Sequence, residues 1–531
     1  MQTLKKRLAW IRLFLILLFS ISAIWLALLS QKSGYIQTAI QQSTYTVTAG
    51  TANGTIYDRN GTPLVNATTT YQAVVSPTAE AVEALLPHVL DKTSFLSSVE
   101  QGMPFVCEID TAEIDCADVT ILEIPERYAV PVLAQHLIGY TADGVGVSGI
   151  EAAFDNILRS ETSRWSVTFS VDGTSGVLSG DNLQIRYGAN PTYGVITTLD
   201  ADIQRLCETA GASLEKGCII VMEVNSGDIL GMASFPCYSV DNLSAALEDE
   251  NSPLINRALY AYPVGSIFKL VTATCAKESG IAYRFQYDCT GVISIGTQEF
   301  HCNDRSGHGI QNMLEAMRSS CNPYFIALSQ ELSAITLLNM AKSLGFGEEI
   351  VLASGITALS GTLPTVSQLN IPAKRANFCF GQGILTATPL QIARMTCAIA
   401  GDGSLPMGQL ILGITENGRE ILNEEEAAFE SGISEETAAF LRTLMCYAAS
   451  SEDFEGCPKY LAMGAKTSTA QTGRYDENGV EYCDGWVTAF FPSQSPKYVV
   501  TVLAEDDGYG NDCASPVLRE IAAGIMALES P

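Results

Sequence analysis

Histidine is almost missing from this chain, with four residues in 531. A Ser-His-Asp arrangement therefore has few possible members, and acid–base chemistry has to be sought in other side chains. Positive charge is also scarce: 30 Lys and Arg stand against 58 Asp and Glu, a formal net charge of −28. Such a surface repels phosphate backbones and anionic headgroups, so nucleic acid is not an expected partner. Otherwise the excess acid reads as a solvated, solubilising surface. Charged residues of both signs make up 17% of the chain and apolar residues 47%, the balance of a globular protein rather than a disordered one. Internal repeats and low-complexity tracts are lacking, which excludes solenoids and propellers. A chain of 531 residues is too long for one core, so two domains plus an appendage are expected.

One long uncharged apolar run is present. Lys5, Lys6, Arg7 and Arg12 precede Leu13 to Ser30, which contains no charged residue and is long enough to span a bilayer. Residues 1–12 are expected as a cytoplasmic tail and 13–30 as a transmembrane helix that sends the rest of the chain outside the cell. The rival is a cleaved signal peptide, but the run exceeds a typical signal core and no small-x-small site ends it. Residues 31–50, rich in Thr, Gln and Ser, read as a stalk. The fifteen cysteines are odd in number and scattered, unlike a full disulfide framework. Cys218, Cys275, Cys397 and Cys446 lie in apolar runs and read as small core residues.

Beyond the stalk, Gly54 to Val65 is β-rich and broken by Asn60-Gly61, a hairpin signal. Residues 51–195 are expected as a β-rich domain and 196–531 as a second domain. In the second, Cys218 to Val224 and Ile229 to Ser234 flank a short turn, which makes them antiparallel. Helical patterns follow at Ser266 to Glu278, Asn312 to Ser319 and Pro389 to Ala400. Strands near Trp486 to Phe491 and Tyr498 to Leu503, then a helix over Ser515 to Leu528, close the chain. The fold class is α+β: one antiparallel sheet flanked by helices.

Three short motifs occur in order. Ser266-x-x-Lys269 opens a helix after Pro263-Val264-Gly265, so both side chains share one face. A lysine so placed can take the serine proton if its surroundings lower its pKa. Ser320-Cys321-Asn322 is the one Ser-x-Asn in the chain, and Lys466-Thr467-Ser468-Thr469 lies on a strand or strand edge. Each pattern alone is weak, since Ser213-x-x-Lys216 and Lys92-Thr93-Ser94 match the first and third. Both of those read as solvated surface.

Taken together, the motifs resemble those of class B penicillin-binding proteins, peptidoglycan D,D-transpeptidases of the penicillin-binding protein 2 type with a serine β-lactamase-like fold. The likeness extends to Gly146-Val147-Ser148-Gly149-Ile150-Glu151, Thr198-Leu199-Asp200 with Gln204, Asn256-Arg257-Ala258, Gly381-Gln382-Gly383 with Thr388-Pro389-Leu390-Gln391, and Gly485-Trp486. It covers nearly everything after residue 50, with 51–195 as a pedestal domain and 196–531 as the transpeptidase domain. No separate glycosyltransferase domain fits before residue 200, which points away from the bifunctional class A.

The resemblance implies Ser266 as nucleophile, Lys269 as base, Ser320 as proton relay, Asn322 as a ligand of substrate and lysine, and Lys466 as a source of positive potential. It implies substrate binding at Thr467, Ser468 and Thr469, and an oxyanion hole from the N–H groups of Ser266 and Thr469. The implied substrates are D-Ala-D-Ala stem peptides and β-lactams, and the implied partner is a polytopic glycosyltransferase of the shape, elongation, division and sporulation family. Catalysis needs no cofactor. The family usually has Gly where this chain has Ser468, so that serine is expected to narrow the cleft, tune specificity or mark a weakened enzyme. D,D-carboxypeptidase activity and a non-catalytic cell-wall scaffold or β-lactam sensor are the competing functions.

A last cluster stands apart. Cys289, Cys302 and His308, with Asp304 as a weaker fourth ligand, have spacing suited to a structural zinc site beside the loop to Ser320. A Cys289–Cys302 disulfide and plain free thiols with surface histidines are the alternatives.

Overall fold

The computed structural model describes residues 2–30, 43–129, 131–171 and 183–529. The chain divides into two compact units: residues 1–53, 66–127 and 162–191 form one, and 54–65, 128–161 and 192–531 the other.

The first unit contains the N-terminal helix Gln2–Ser30, whose apolar side chains are exposed. It is long and apolar enough to cross a membrane. Part of the expected stalk is a strand instead. Thr44–Ala52 pairs antiparallel with Ser163–Ser170, which pairs with Gln184–Arg186. The alternating residues Val47, Trp165, Val167 and Phe169 are buried, the period-two burial that fixes strand register. The remainder of that stalk, residues 31–42, lies outside the described residues. A second sheet places Thr68–Val75 between Phe105–Ile109 and Val119–Glu126. Helices Ala79–Leu85 and Lys92–Gln101 pack there through Leu85 and Phe95.

The second unit is built on a five-stranded antiparallel sheet. Its strands are β1 (Gly217–Glu223), β2 (Ile229–Phe235), β3 (Gly464–Tyr475), β4 (Glu481–Phe491) and β5 (Tyr498–Ala504), in the order β2-β1-β5-β4-β3. The helices around it are, in chain order, α1 (Ala201–Gly211), α2 (Lys269–Glu278), α3 (Met313–Arg318), α4 (Asn322–Gln330), α5 (Pro389–Ala400), α6 (Glu435–Ala449) and α7 (Ala514–Leu528). Both faces of the sheet are covered, so its strands read as continuous apolar runs rather than alternating ones. Val487, Ala489, Val500 and Val502 face α1 and α7. Trp486, Phe490, Val499 and Leu503 face the core of α2 to α6.

Within that core α5 is buried along its whole length and starts with a capping box between Thr388 and Gln391. Truncating one of its large side chains, as in Ile392→Ala, is expected to cost about 2–5 kcal/mol. The spatial partition also differs from the expected cut near residue 195. Thr55–Tyr57 runs parallel to Gly194–Thr197 and so joins the second unit. The expected turn after it is present: Asp58 accepts hydrogen bonds from the N–H groups of Asn60 and Thr62, and Gly61 is left-handed at φ +80°.

Candidate active site

The segment before Ser266 is pinned residue by residue. Trp486 Nε1, from β4, donates to the Pro263 carbonyl at 3.1 Å. Ser468 Oγ, from β3, donates to the Val264 carbonyl at 2.8 Å, and the Gly265 N–H donates to the Gly381 carbonyl at 2.9 Å. Gly265 has φ +61°, and a Cβ there would lie 2.4 Å from Ser468 Oγ. A Cβ on Gly381 would lie 1.9 Å from the Gly265 carbonyl oxygen. Glycine is therefore required at both places for the backbones to meet. Ser266 follows in a 3₁₀ turn, Gly265–Phe268, and is half-buried; α2 begins at Lys269.

Helix α2 is rich in β-branched residues with modest helix propensity, and burial offsets this. Lys269 to Ala276 are all buried, and the Thr272 and Thr274 hydroxyls bond the carbonyls of Cys379 and Leu270. Phe268 anchors the first turn on Phe346 and Phe378.

Lys269 is fully buried, and its Nζ lies 2.6 Å from the Ser320 carbonyl oxygen, 3.1 Å from Ser320 Oγ and 2.6 Å from Asn322 Oδ1. Those partners sit on the turn between α3 and α4, where Ser320 is held left-handed at φ +50°, a costly conformation for a residue with a side chain. From β3, Lys466 Nζ reaches the same Ser320 Oγ at 3.1 Å and donates to the Thr467 carbonyl at 2.9 Å. Two buried lysine amines thus share one hydroxyl. Burial pulls Lys269 down to about 8, with the Cys321, Cys379 and Cys302 thiols opposing it. Burial, then the charge of Lys269, pulls Lys466 down to about 7. The arrangement offers an amine able to accept a proton, a hydroxyl to relay one, and a cation beside the strand.

Strand alternation sorts the third motif. Lys466 and Ser468 are buried, whereas Thr467 and Thr469 are half-exposed on the opposite face. The expectation that Ser468 narrows the cleft is corrected here: its side chain is 3% exposed and turned under the Ser266 loop, where it bonds Val264. The decoy patterns are separate from this site. Lys216 pairs with Asp506 at 2.7 Å, and Lys92-Thr93-Ser94 is the exposed first turn of a helix capped by Asp91.

The cysteine cluster is on the other side of the Ser320 turn. The ligand atoms of Cys289, Cys302, His308 and Cys321 lie within 4.8 Å of one another. Cys302 Sγ is 3.5 Å from His308 Nδ1 and 3.9 Å from Cys321 Sγ. A hydrogen bond from Cys321 pulls the Cys302 thiol down to about 5, while burial opposes the shift. Asp304 is not a member of the group; it caps a local turn through Ser306 N–H and Oγ. Cys321 takes its place. The sequence signal was the middle residue of Ser320-Cys321-Asn322, a cysteine close in sequence to Cys302 and His308. All fifteen cysteines are free, so the alternative Cys289–Cys302 disulfide is not formed. Asn322 ties the two sites together, since its Nδ2 donates to the His301 carbonyl at 3.4 Å while its Oδ1 bonds Lys269.

Residues 217–523 match the family model described as the penicillin binding protein transpeptidase domain. Stage V sporulation protein D of Bacillus subtilis is 26% identical, over 98% of this chain and 85% of its own. Peptidoglycan D,D-transpeptidase PbpA of Mycolicibacterium smegmatis is 27% identical, over 76% of this chain and 83% of its own. A chain from a structure on the coordination of polymerization and crosslinking by a peptidoglycan synthase complex superposes with a TM-score of 0.71 at 24% identity, covering 97% of this chain and 98% of that one. With its family model covering more than half of its length, and with its three motifs meeting at one hydroxyl, the chain belongs to the penicillin-binding protein transpeptidase family.

Proposed function

We propose that this protein is a peptidoglycan D,D-transpeptidase that cross-links stem peptides through an acyl-enzyme on Ser266 and is acylated there by β-lactams. The observation that carries this reading is the convergence of buried Lys269 and Lys466 on Ser320 Oγ, beside the pinned Ser266 turn. Ser266 Oγ attacks the carbonyl carbon of the penultimate D-Ala, and its proton passes to neutral Lys269. The Ser266 and Thr469 N–H groups receive the oxyanion. Ser320 accepts from Lys466 and passes a proton to the leaving amine, so the C–N bond breaks and D-Ala departs. Thr467 and Thr469, on the half-exposed face of β3, hold the substrate carboxylate with Lys466 behind them. Asn322 orients Lys269 and bonds a substrate amide. Ser468 contributes through its hydroxyl, which donates to the Val264 carbonyl and locks the turn before Ser266, so that hydroxyl does not mark a weakened enzyme.

The apolar helix anchors the protein in the cell membrane with its basic end cytoplasmic and the catalytic unit outside. The first unit's residues 66–127 and 162–191 serve as pedestal, and the second unit, with 192–531, as transpeptidase. A membrane glycosyltransferase of the shape, elongation, division and sporulation family is the proposed partner, in keeping with the synthase complex whose member this fold resembles. Cys289, Cys302, Cys321 and His308 hold a structural zinc that braces the Ser320 turn; three buried thiols with one half-buried imidazole have the chemistry of closed zinc sites. Protein purified without added metal is expected to carry stoichiometric zinc, lost in Cys302→Ser; metal-free native protein would sink this part. The function itself is tested by incubating the full chain with D-Ala-D-Ala stem peptides. Released D-Ala with a cross-linked dimer supports transpeptidation, and D-Ala release without dimer makes it a carboxypeptidase.

A further inference from the structure

A cavity of about 620 Å³ opens beside the catalytic groups. Ser320, Lys466 and Thr467 line it on the side of the catalytic groups, and Gln311, Arg318 and Tyr447 are also in its lining. We propose that this cavity receives the amine-bearing acceptor stem peptide, an inference that rests on the transpeptidase reading.

Microscopic reversibility places the acceptor. In the first half-reaction the D-Ala amine leaves on the Ser320 side, with its carboxylate toward Lys466 and Thr467. In the second, the acceptor nitrogen attacks the acyl carbonyl carbon along the reverse path. A C–N bond forms, the C–O bond to Ser266 breaks, and one nitrogen proton ends on Ser266 Oγ, regenerating the hydroxyl. The amine therefore occupies the place that D-Ala vacated, and the rest of the acceptor extends beyond it. The space beyond that place is this cavity. Its lining includes Ser320, Lys466 and Thr467 together with the end of α3 and the end of α6.

Two features of the lining fit a peptide that carries carboxylates and N–H groups. Gln311 is 6% exposed and donates from Nε2 to Ser319 Oγ, but its buried Oε1 has no hydrogen-bond partner. A buried amide oxygen left unpaired is costly, and a ligand N–H would relieve it. Arg318 lies over the Tyr447 ring, 5.1 Å from its centroid, which holds the guanidinium at the cavity wall. Glu315, on the same helix, is occupied by the helix cap, accepting from the Asn312 N–H at 2.9 Å. Arg318 and Lys466 thus both line the cavity, against the carboxylates of Glu315 and Asp453, in a chain whose net charge is −28.

The test follows the fate of the acyl-enzyme. Detergent-solubilised full chain is given a D-alanyl thioester donor, with either a stem peptide bearing a free side-chain amine or D-alanine as acceptor. Transfer and hydrolysis products are counted by mass spectrometry. In Arg318→Gln and, separately, Gln311→Met, transfer to the peptide relative to hydrolysis is expected to fall about ten-fold. Transfer to D-alanine and the rate of fluorescent penicillin labelling should stay within about two-fold, which also shows that each variant is folded. An unchanged partition to the peptide in both variants overturns the acceptor site. So does an equal loss for both acceptors or slowed labelling, since either means that these residues act through Ser320. Wild-type protein that is never acylated contradicts the transpeptidase reading instead.

Discussion

Ser266-x-x-Lys269 and Ser213-x-x-Lys216 have the same spacing and opposite surroundings. Lys216 is partly exposed and meets the Asp506 carboxylate at 2.7 Å, while Ser213 Oγ bonds the Ala210 carbonyl of its own helix end. Lys269 is fully buried, its partners are the neutral oxygens of Ser320 and Asn322, and a second buried lysine stands across the Ser320 hydroxyl. Neutral partners, burial and a neighbouring cation make Lys269 a base. The spacing places two side chains on one face, and the rest of the fold decides what that pair can do.

The comparison can be broken at several points, the largest effect first. Lys269→Met is expected to slow acylation by about 10²- to 10⁴-fold, the usual worth of a general base. Lys216→Met should leave the rate within about two-fold and cost at most about 1 kcal/mol of stability, because its ion pair is partly solvated. Penicillin-labelling kinetics and thermal melts measure both.

Gly265→Ala comes next. Its Cβ meets Ser468 Oγ at 2.4 Å and must adopt φ +61°, so labelling should fall by about ten-fold or more. Adding Ser468→Gly removes the nearest clash and should restore part of the loss, as a double-mutant cycle would read. Full additivity of the two changes would contradict the contact. Ser468→Gly alone restores the residue usual in the family, yet the structure gives it a smaller effect. Acylation should stay within about three-fold, and the protein should lose about 1–2 kcal/mol, because the Val264 carbonyl loses its donor.

The pH profile sharpens the same contrast. Below about 7 both buried lysines are ammonium groups and above about 8 both are neutral; between the two the coupled pair shares one proton, which rests more on Lys269 than on Lys466, and the reactive form is the minor one with that proton on Lys466. Acylation should therefore rise through about 7 and decline above about 8. A rate that climbs steadily beyond pH 9 would mean that Lys466 need not be charged.

Much of the site could be read from residue order. Ser266, Lys269, Ser320, Asn322 and Lys466 were legible because spacing and motif order survive in one dimension; Lys269, Ser320, Asn322 and Lys466 meet in space, and Ser266 lies in the turn that leads into Lys269. The central sheet was legible because β1, β4 and β5 are apolar runs bounded by turns. Direction of side chains was not. Ser468 looks like an obstruction in sequence and is a buried lock in the fold, because strand alternation sends it away from Thr467 and Thr469. Cys321 was not legible as a ligand, because it lies between Ser320 and Asn322 and joins Cys289, Cys302 and His308 only through the fold. Asp304 looked like a ligand from spacing alone, but its carboxylate is used within two residues of chain. The unit boundaries were illegible because Thr55–Tyr57 pairs with a strand some 140 residues later.

The central claim is that only one of the two serine–lysine pairs is an acylation site. Fluorescent penicillin labelling of the full chain, with Ser266→Ala and Ser213→Ala beside it, tests it most directly. The account predicts labelling of wild type and Ser213→Ala, and none of Ser266→Ala. Labelling that persists in Ser266→Ala, or a folded wild type that takes up no label, would contradict it.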